Sequence, residues 1–201
     1  MDAAVTIAIL AGGKSLRLGG VDKGLQPFFG MPLISHVYAA VNVMFAPRRT
    51  PAERQVLILA NRNREAYSDY ATTLPDDVDC GEGPMAAIAT ALSAIETPWL
   101  LTVPVDCPWP PLDLWQRLRG AVGNSQCAVA HDGEHRQPLF ALYRRRLAHS
   151  AKLAASAGSG PREWQDRIST VVVDFQDRRG KQFANLNSTA DFLAWQAIEN
   201  D

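Results

Sequence analysis

The sequence predicts an α/β fold in which helices cover both faces of a mostly parallel β-sheet. Short, almost wholly apolar runs alternate along the 201 residues with segments of helical periodicity. Strands that are apolar on both faces are typical of parallel sheets buried beneath helical crossovers. Because no internal repeat or linker interrupts this alternation, we expect residues 1–201 to form a single domain.

The first half of the chain carries three predicted strands and two predicted helices. The strands are the apolar runs at 6–10, 55–60 and 99–105. Pro104 lacks an N–H, so the pairing of the third strand must end there or bulge. The helices are predicted at 32–45, where Pro32 suits a first turn, and at 84–95, before Pro98.

The second half continues the alternation. Strands are predicted at 126–131, 139–143 and 170–175, and helices at 111–118, 145–157 and 189–198. The first two of these strands flank Asp132-Gly133 and are read as a hairpin with a longer loop. Ser188 and Asp191 resemble a capping box that opens the last helix. Pro, Gly and polar residues gather at 46–54 and 156–161, which we expect to be the softest connections.

Composition indicates a small cytoplasmic protein. The net charge of −1 gives no reason to expect attraction to nucleic acid or to a membrane surface. The cysteines 80, 107 and 127 lack the spacing of a disulfide framework or a zinc site. A signal peptide has a basic segment before its apolar run, and none precedes the first apolar run here. No run approaches the roughly 18 apolar residues of a membrane helix. We expect a monomer by default.

A glycine-rich loop follows the first predicted strand directly. Residues 10–25 read LAGGKSLRLGGVDKGL and include Lys14, Arg17 and Lys23. Glycines let several N–H groups point at one anion, while lysine and arginine add charge and directed donors for phosphate oxygens. The loop therefore predicts a triphosphate site. The alternative is a flexible surface turn beside basic residues.

Polar residues also follow the other predicted strands, where open α/β sheets bind ligands. Asn61 ends the second strand and Asp106 the third. A carboxylate at the end of an apolar strand is costly unless it is paired or binds a metal, and Mg²⁺ prefers oxygen ligands. Asp106 is therefore a candidate Mg²⁺ ligand. The alternative is a cap on the next helix.

Two further polar segments precede helices. Aspartates 76, 77 and 79 stand before a glycine-rich turn, and a carboxylate there could accept both the N1–H and the 2-amino group of guanine. They could equally serve as partners of the helix dipole. Asn185 and Asn187 in FANLNS could position metal or phosphate, although turn or cap use also explains Asn187.

Taken together, these motifs resemble the molybdenum cofactor guanylyltransferase family. The resemblance spans about residues 5–195, keeps the family's order, and rests on LAGGKSLRLGGVDKGL, ANRN (60–63), GP (83–84), VDCPWPP (105–111), HDGEHRQPLFALY (131–143) and FANLNS (183–188). It implies a single Rossmann-like three-layer domain of nucleotidyltransferase type. This domain would transfer GMP from Mg·GTP to the terminal phosphate of molybdopterin, giving the guanine dinucleotide cofactor and pyrophosphate.

The resemblance also implies the ligands, the partners and the site. Mg²⁺ is the implied cofactor, GTP and molybdopterin are the substrates, and other molybdenum cofactor assembly proteins are the implied partners. The nucleotide-binding positions are Leu10, Ala11, Gly12, Gly13, Lys23, Asn61, Asp76, Gly83, Asp106, Asn185 and Asn187. Arg17 and Lys23 would neutralise the leaving pyrophosphate, and Asp106 would hold Mg²⁺. The nucleophile is already a phosphate oxygen, so alignment and charge neutralisation suffice.

Two alternatives stay open at this point. The nearer one is the same fold acting with CTP or on another phosphate acceptor. The second is a non-catalytic dinucleotide-binding protein, because Gly81, Gly83 and Ala86 fit the spacing of a degenerate fingerprint. That fingerprint requires a buried strand directly before it, and the preceding DDVDC does not read as one.

Overall fold

The computed structural model describes residues 4–12, 22–46, 54–176 and 182–198. The predicted phosphate-binding residues Gly13, Lys14 and Arg17 lie outside these ranges, as does most of the predicted soft connection at 46–54. Within the described ranges, no helix combines the length and apolarity that crossing a membrane requires.

Nine strands are described. In chain order they are β1 (Val5–Leu10), β2 (Pro27–Phe28), β3 (Met31–Pro32), β4 (Arg54–Leu59), β5 (Thr72–Leu74), β6 (Trp99–Pro104), β7 (Cys127–His131), β8 (Arg136–Arg144) and β9 (Thr170–Asp174). Seven of them form one sheet in the order β5-β4-β1-β6-β8-β7-β9, and β2 and β3 form a separate hairpin. Only β8 runs antiparallel to its neighbours in that sheet. The prediction of a mostly parallel sheet is therefore confirmed.

Helices cover both faces of this sheet. They are α1 (Leu33–Phe45), α2 (Arg64–Ser68), α3 (Pro84–Ala94), α4 (Leu114–Ala121), α5 (Ala148–Ser156), α6 (Pro161–Arg167) and α7 (Thr189–Ile198). Alternate residues of β1 enter opposite apolar clusters: Ile7 and Ile9 pack with α1 and α4, whereas Ala8 packs with α3 and α5. The core thus has two halves, one on each face of the sheet, which confirms the three-layer α/β prediction.

Several predicted boundaries were wrong. The helix predicted at 111–118 is α4, which begins at Leu114 after the cap residue Asp113. The helix predicted at 145–157 is a short 3₁₀ turn followed by α5. The strand predicted at 139–143 is the longer β8, because its first residues pair with β7 across the predicted hairpin. Pro32 closes β3 and caps α1, so that helix starts one residue later than predicted.

The predicted soft connection at 156–161 is a tight junction between two helices. Gly158 takes the left-handed conformation that ends α5, with its N–H donating to the Ala155 carbonyl at 2.9 Å. Pro161 occupies the first turn of α6, where its missing N–H costs nothing. Glycine and proline here are capping residues, and α6 was not predicted.

The carboxyl ends of three parallel strands meet at one edge of the sheet. Leu10 is in register with Leu59 of β4 and Pro104 of β6. Backbone hydrogen bonds continue past the strand ends, from the Ala11 N–H to Leu59 (2.8 Å) and from the Val105 N–H to Leu10 (3.0 Å). The segments that follow these strands therefore start side by side, and they build the cleft described next.

Candidate functional site

A cleft opens at this edge of the sheet, and six predicted site residues line it. These are Leu10, Ala11, Gly12, Lys23, Gly83 and Asp106. The sequence did not predict the other lining residues, which are Pro84, Ala87, Pro104, Val105 and Leu139. The wall is thus mostly apolar, while one ammonium group and one carboxylate supply the charge. This composition suits a flat base on one side and a charged phosphate chain on the other.

Lys23 joins two other predicted residues at the charged end of the cleft. Its Nζ donates to Asp106 Oδ2 at 3.0 Å and to Asn187 Oδ1 at 2.9 Å. The Lys23 and Asp106 side chains keep 17% and 22% of their surface exposed, so both face the cleft while remaining largely packed. The three residues come from three distant segments, and one nitrogen atom connects them.

A turn carries Lys23, and residues that the sequence did not predict hold that turn. Asp22 caps the 3₁₀ turn Lys23–Leu25, accepting from the Gly24 N–H at 3.2 Å. The Tyr67 hydroxyl and the Asn63 side-chain amide also donate to the Asp22 carboxylate. Asp22 belongs to the VDKGL motif, so a signal for it existed. The sequence around Tyr67 is that of an ordinary core aromatic residue, and its contact with Asp22 is visible only in the tertiary structure.

Asn61 and Asp76 lie together behind Gly12. The Asn61 amide donates to Asp76 Oδ2 and its oxygen accepts from the Asp76 N–H, both at 2.8 Å. A Cβ at Gly12 would lie 3.6 Å from Asp76 Oδ2, so the pair forms the second layer of the cleft wall. Burial raises the pKa of Asp76, although the Asn61 hydrogen bond opposes this shift. Asp76 Oδ1 is buried without a hydrogen-bond partner among the described residues.

The neighbouring acids have a structural role. Asp77 pairs with Lys152 of α5 at 3.0 Å, and Asp79 pairs with the same lysine at 3.7 Å. The hydrogen bond from Lys152 holds the pKa of Asp77 below its ordinary value. Of the three aspartates in this segment, only Asp76 lies against the cleft wall.

The segment before α7 ties Asn187 to Asp106. The Leu186 N–H donates to the Asp106 carbonyl at 2.8 Å. The Asp191 carboxylate accepts from the Asn187 and Ser188 N–H groups, and Ser188 Oγ accepts from the Asp191 N–H at 3.2 Å. The predicted capping box is confirmed. Asn185 is exposed and lines no part of the cleft.

Asp106 is available as a ligand for Mg²⁺. The alternative role as a helix cap does not apply, because Asp113 stands at the start of α4. Among the described residues, no group of three or more His, Cys, Asp or Glu could enclose a metal. A single cleft-facing carboxylate still fits Mg²⁺, which keeps several waters and takes its other ligands from substrate phosphates.

Solved structures give the class to which this fold belongs. The molybdopterin-guanine dinucleotide biosynthesis protein A of Archaeoglobus fulgidus matches with a TM-score of 0.76 at 21% identity, over 97% of this chain and 98% of that one. The 4-diphosphocytidyl-2C-methyl-D-erythritol synthase of Anaerococcus prevotii matches with a TM-score of 0.75 at 9% identity, over 99% and 97%. The fold is therefore that of the α/β nucleotidyltransferases.

Sequence relatives narrow this class to a family. Residues 7–171 match the MobA-like NTP transferase domain. The molybdenum cofactor guanylyltransferase of Photobacterium profundum is 37% identical over 184 residues, covering 90% of this chain and 89% of the relative. That of Vibrio parahaemolyticus is 38% identical over 196 residues, covering 96% and 95%. The chain belongs to the MobA-like NTP transferase family, and the resemblance seen in the motifs is confirmed.

Proposed function

We propose that this protein is a molybdenum cofactor guanylyltransferase, which transfers GMP from Mg·GTP to the terminal phosphate of molybdopterin. The observation that carries the proposal is the meeting of Lys23, Asp106 and Asn187 at the charged end of the cleft. Relatives with this activity in their names match the chain over at least nine-tenths of its length. The products are the guanine dinucleotide form of the cofactor and pyrophosphate.

The proposed chemistry is alignment and charge neutralisation. The acceptor phosphate oxygen is already a nucleophile, so the chain need not remove a proton from it. Lys23 is proposed to donate to oxygens of the departing pyrophosphate, and its charge would act more strongly in a cleft that excludes part of the water. Arg17, outside the described residues, is proposed for the same task. Asn187 Oδ1 accepts a second hydrogen bond from the Lys23 ammonium.

Asp106 is the proposed Mg²⁺ ligand, and bound Mg²⁺ supplies polarisation of the α-phosphoryl group and neutralisation of the triphosphate. Leu10, Ala11 and Gly12 line the cleft where β1 ends, and Gly12, which has no side chain, is proposed to let a phosphate come close to the backbone there. Gly13 and Asn185 stay predicted contacts. Gly83 also lines the cleft, with a φ of +105°, a conformation that glycine adopts without strain.

Asp76 is the proposed acceptor for guanine. Guanine presents N1–H and a 2-amino group side by side, whereas cytosine and adenine present an acceptor next to one amino donor. Asp76 Oδ1 is buried behind Gly12 and has no hydrogen-bond partner among the described residues, so a contact with guanine would require this oxygen to become accessible from the cleft. The Asn61 side chain fixes Asp76, because it donates to Asp76 Oδ2 and accepts from the Asp76 backbone N–H. This arrangement supports GTP over CTP.

The remaining expectations belong to the same proposal. We expect one domain over residues 1–201, acting as a monomer in the cytoplasm, with partners among the proteins that assemble and receive the molybdenum cofactor. The shared family of relatives supports the last of these expectations. None of them depends on the geometry of the cleft.

Calorimetric titration with GTP, CTP and ATP, each with and without Mg²⁺, tests the proposal first. We expect clear preference for Mg·GTP, followed by pyrophosphate release when molybdopterin is added. Asp106→Asn should abolish transfer. Asp113→Asn is the matched control, since Asp113 is exposed and pairs with Arg117 outside the cleft. Preference for CTP would change the product, and an active Asp106→Asn variant would overturn the assigned metal ligand.

A further inference from the structure

A buried tyrosine lies behind the turn that carries Lys23. Tyr67, on α2, has no exposed surface, so it cannot touch a ligand in the cleft. Its hydroxyl donates to Asp22 Oδ1, the same oxygen that accepts from the Gly24 N–H. Asn63, at the start of α2, donates to the other Asp22 oxygen at 3.1 Å. One short helix therefore holds both oxygens of the carboxylate that caps the Lys23 turn.

The packing at Gly24 connects this contact to the metal-binding segment. A Cβ at Gly24 would lie 2.3 Å from the Tyr67 hydroxyl oxygen and 2.9 Å from Val105 Cγ2. The Gly24 backbone is thus enclosed between Tyr67 and the residue that precedes Asp106. The Tyr67 hydroxyl and the segment that carries Asp106 therefore both pack against this turn.

We propose that Tyr67 is a positioning residue for Lys23, acting through Asp22 to keep the Lys23 ammonium between Asp106 and Asn187. The inference rests on the proposed function, because the aligned ammonium matters only if Lys23 stabilises the transfer step. It goes beyond that function by assigning part of the catalytic geometry to a residue outside the cleft.

The chemistry of Tyr67 suits this role. Burial, and then the hydrogen bond to Asp22, raise the pKa of the Tyr67 phenol above its ordinary value. The hydroxyl is therefore protonated, and able to donate, at neutral pH. The partner is a carboxylate, and a hydrogen bond to a carboxylate is charge-assisted and stronger than a neutral one. Its loss removes one of three donors to Asp22, so the carboxylate that caps the turn is held less firmly while the aromatic ring stays packed.

A double-mutant cycle on GMP transfer tests the inference. Tyr67→Phe removes only the hydroxyl and is expected to lower kcat roughly 10- to 100-fold, because small misplacements of an aligned group cost that much. The KM for GTP should change less than threefold. In a Lys23→Met background, Tyr67→Phe should change kcat less than twofold, since the group that it positions is already absent. Asp22→Asn should show the same non-additive pattern.

Tyr70→Phe is the matched control. Tyr70 lies three residues on, and its hydroxyl bonds to Ser35 at 2.8 Å, away from the Lys23 turn. We expect its kcat to stay within twofold of the wild type. The inference is overturned if Tyr67→Phe folds and retains full kcat, or if it costs the same factor with and without Lys23. A wild-type protein that does not transfer GMP would instead refute the proposed function, and this inference with it.

Discussion

Replacing Lys23 with methionine separates catalysis from folding at this site. Methionine keeps an unbranched apolar stem and removes the ammonium that lies 3.0 Å from Asp106 Oδ2 and 2.9 Å from Asn187 Oδ1. At 3.0 Å and an effective dielectric constant of about 20, the attraction between the two charges is about 5.5 kcal/mol. Desolvation of both groups offsets most of this energy.

The expected cost to stability is small, because Asp106 can rehydrate. Its side chain keeps 22% of its surface exposed at the cleft, so the carboxylate left by Lys23→Met is not a fully buried charge. A loss of about 1–2 kcal/mol in the free energy of unfolding is therefore expected. For a chain of this length, that corresponds to a fall in Tm of roughly 2–8 °C.

The expected cost to transfer is much larger. Removal of one preorganised donor to a developing charge typically lowers kcat by about 10²–10³. The assay is pyrophosphate release with Mg·GTP and molybdopterin, at a temperature where thermal unfolding shows the variant to be folded. Lys152→Met is the matched control, since its Nζ also lies 3.0 Å from a carboxylate oxygen but outside the cleft. Transfer by Lys23→Met within threefold of the wild type would refute the role given to this lysine.

Two further substitutions test the packing around the site. Asp76→Asn should raise the free energy of unfolding near neutral pH. In the wild type the pKa of Asp76 is higher in the folded state than in the unfolded state, so the protein is most stable below the unfolded-state pKa and loses stability as the pH rises through the folded-state pKa. Urea titrations should show the gain over wild type growing from about pH 4, and a gain independent of pH would contradict the burial effect. Gly24→Ala should cost about 1–3 kcal/mol, because its Cβ meets Tyr67 and Val105. An unchanged urea midpoint would show that this packing is looser than described.

The strands and the charged end of the cleft could be predicted because each has a strong local signal. Apolar runs mark β1, β4 and β6, and a parallel sheet brings their carboxyl ends together, so Lys23 and Asp106 were expected at one place. β5 and α6 were missed because they are only three and seven residues long, too short to show a clear period. Their formation depends on the neighbours against which they pack.

The supporting residues could not be predicted for a different reason. Tyr67 has the same local appearance as any core aromatic residue, and its contact with Asp22 spans 45 positions in sequence. The pairing of Asn61 with Asp76 likewise appears only when β4 and the segment after β5 are placed together. Hydrogen bonds between distant segments leave no periodic trace in a single sequence. The charged side chains of the cleft carry local signals, but the groups that hold them in place do not.

Other residues of the chain hold each of the three groups at the charged end of the cleft, which are Lys23, Asp106 and Asn187. The Lys23 turn is capped by Asp22, which α2 holds in turn. The Asp106 carbonyl accepts from the segment before α7, and the Asp191 cap fixes Asn187. Because the Lys23 ammonium bonds to partners 83 and 164 residues away, it can lie correctly only when all three segments are in place. A reaction that depends on alignment rather than on a reactive side chain needs such support, since the position of each charge is what the protein contributes.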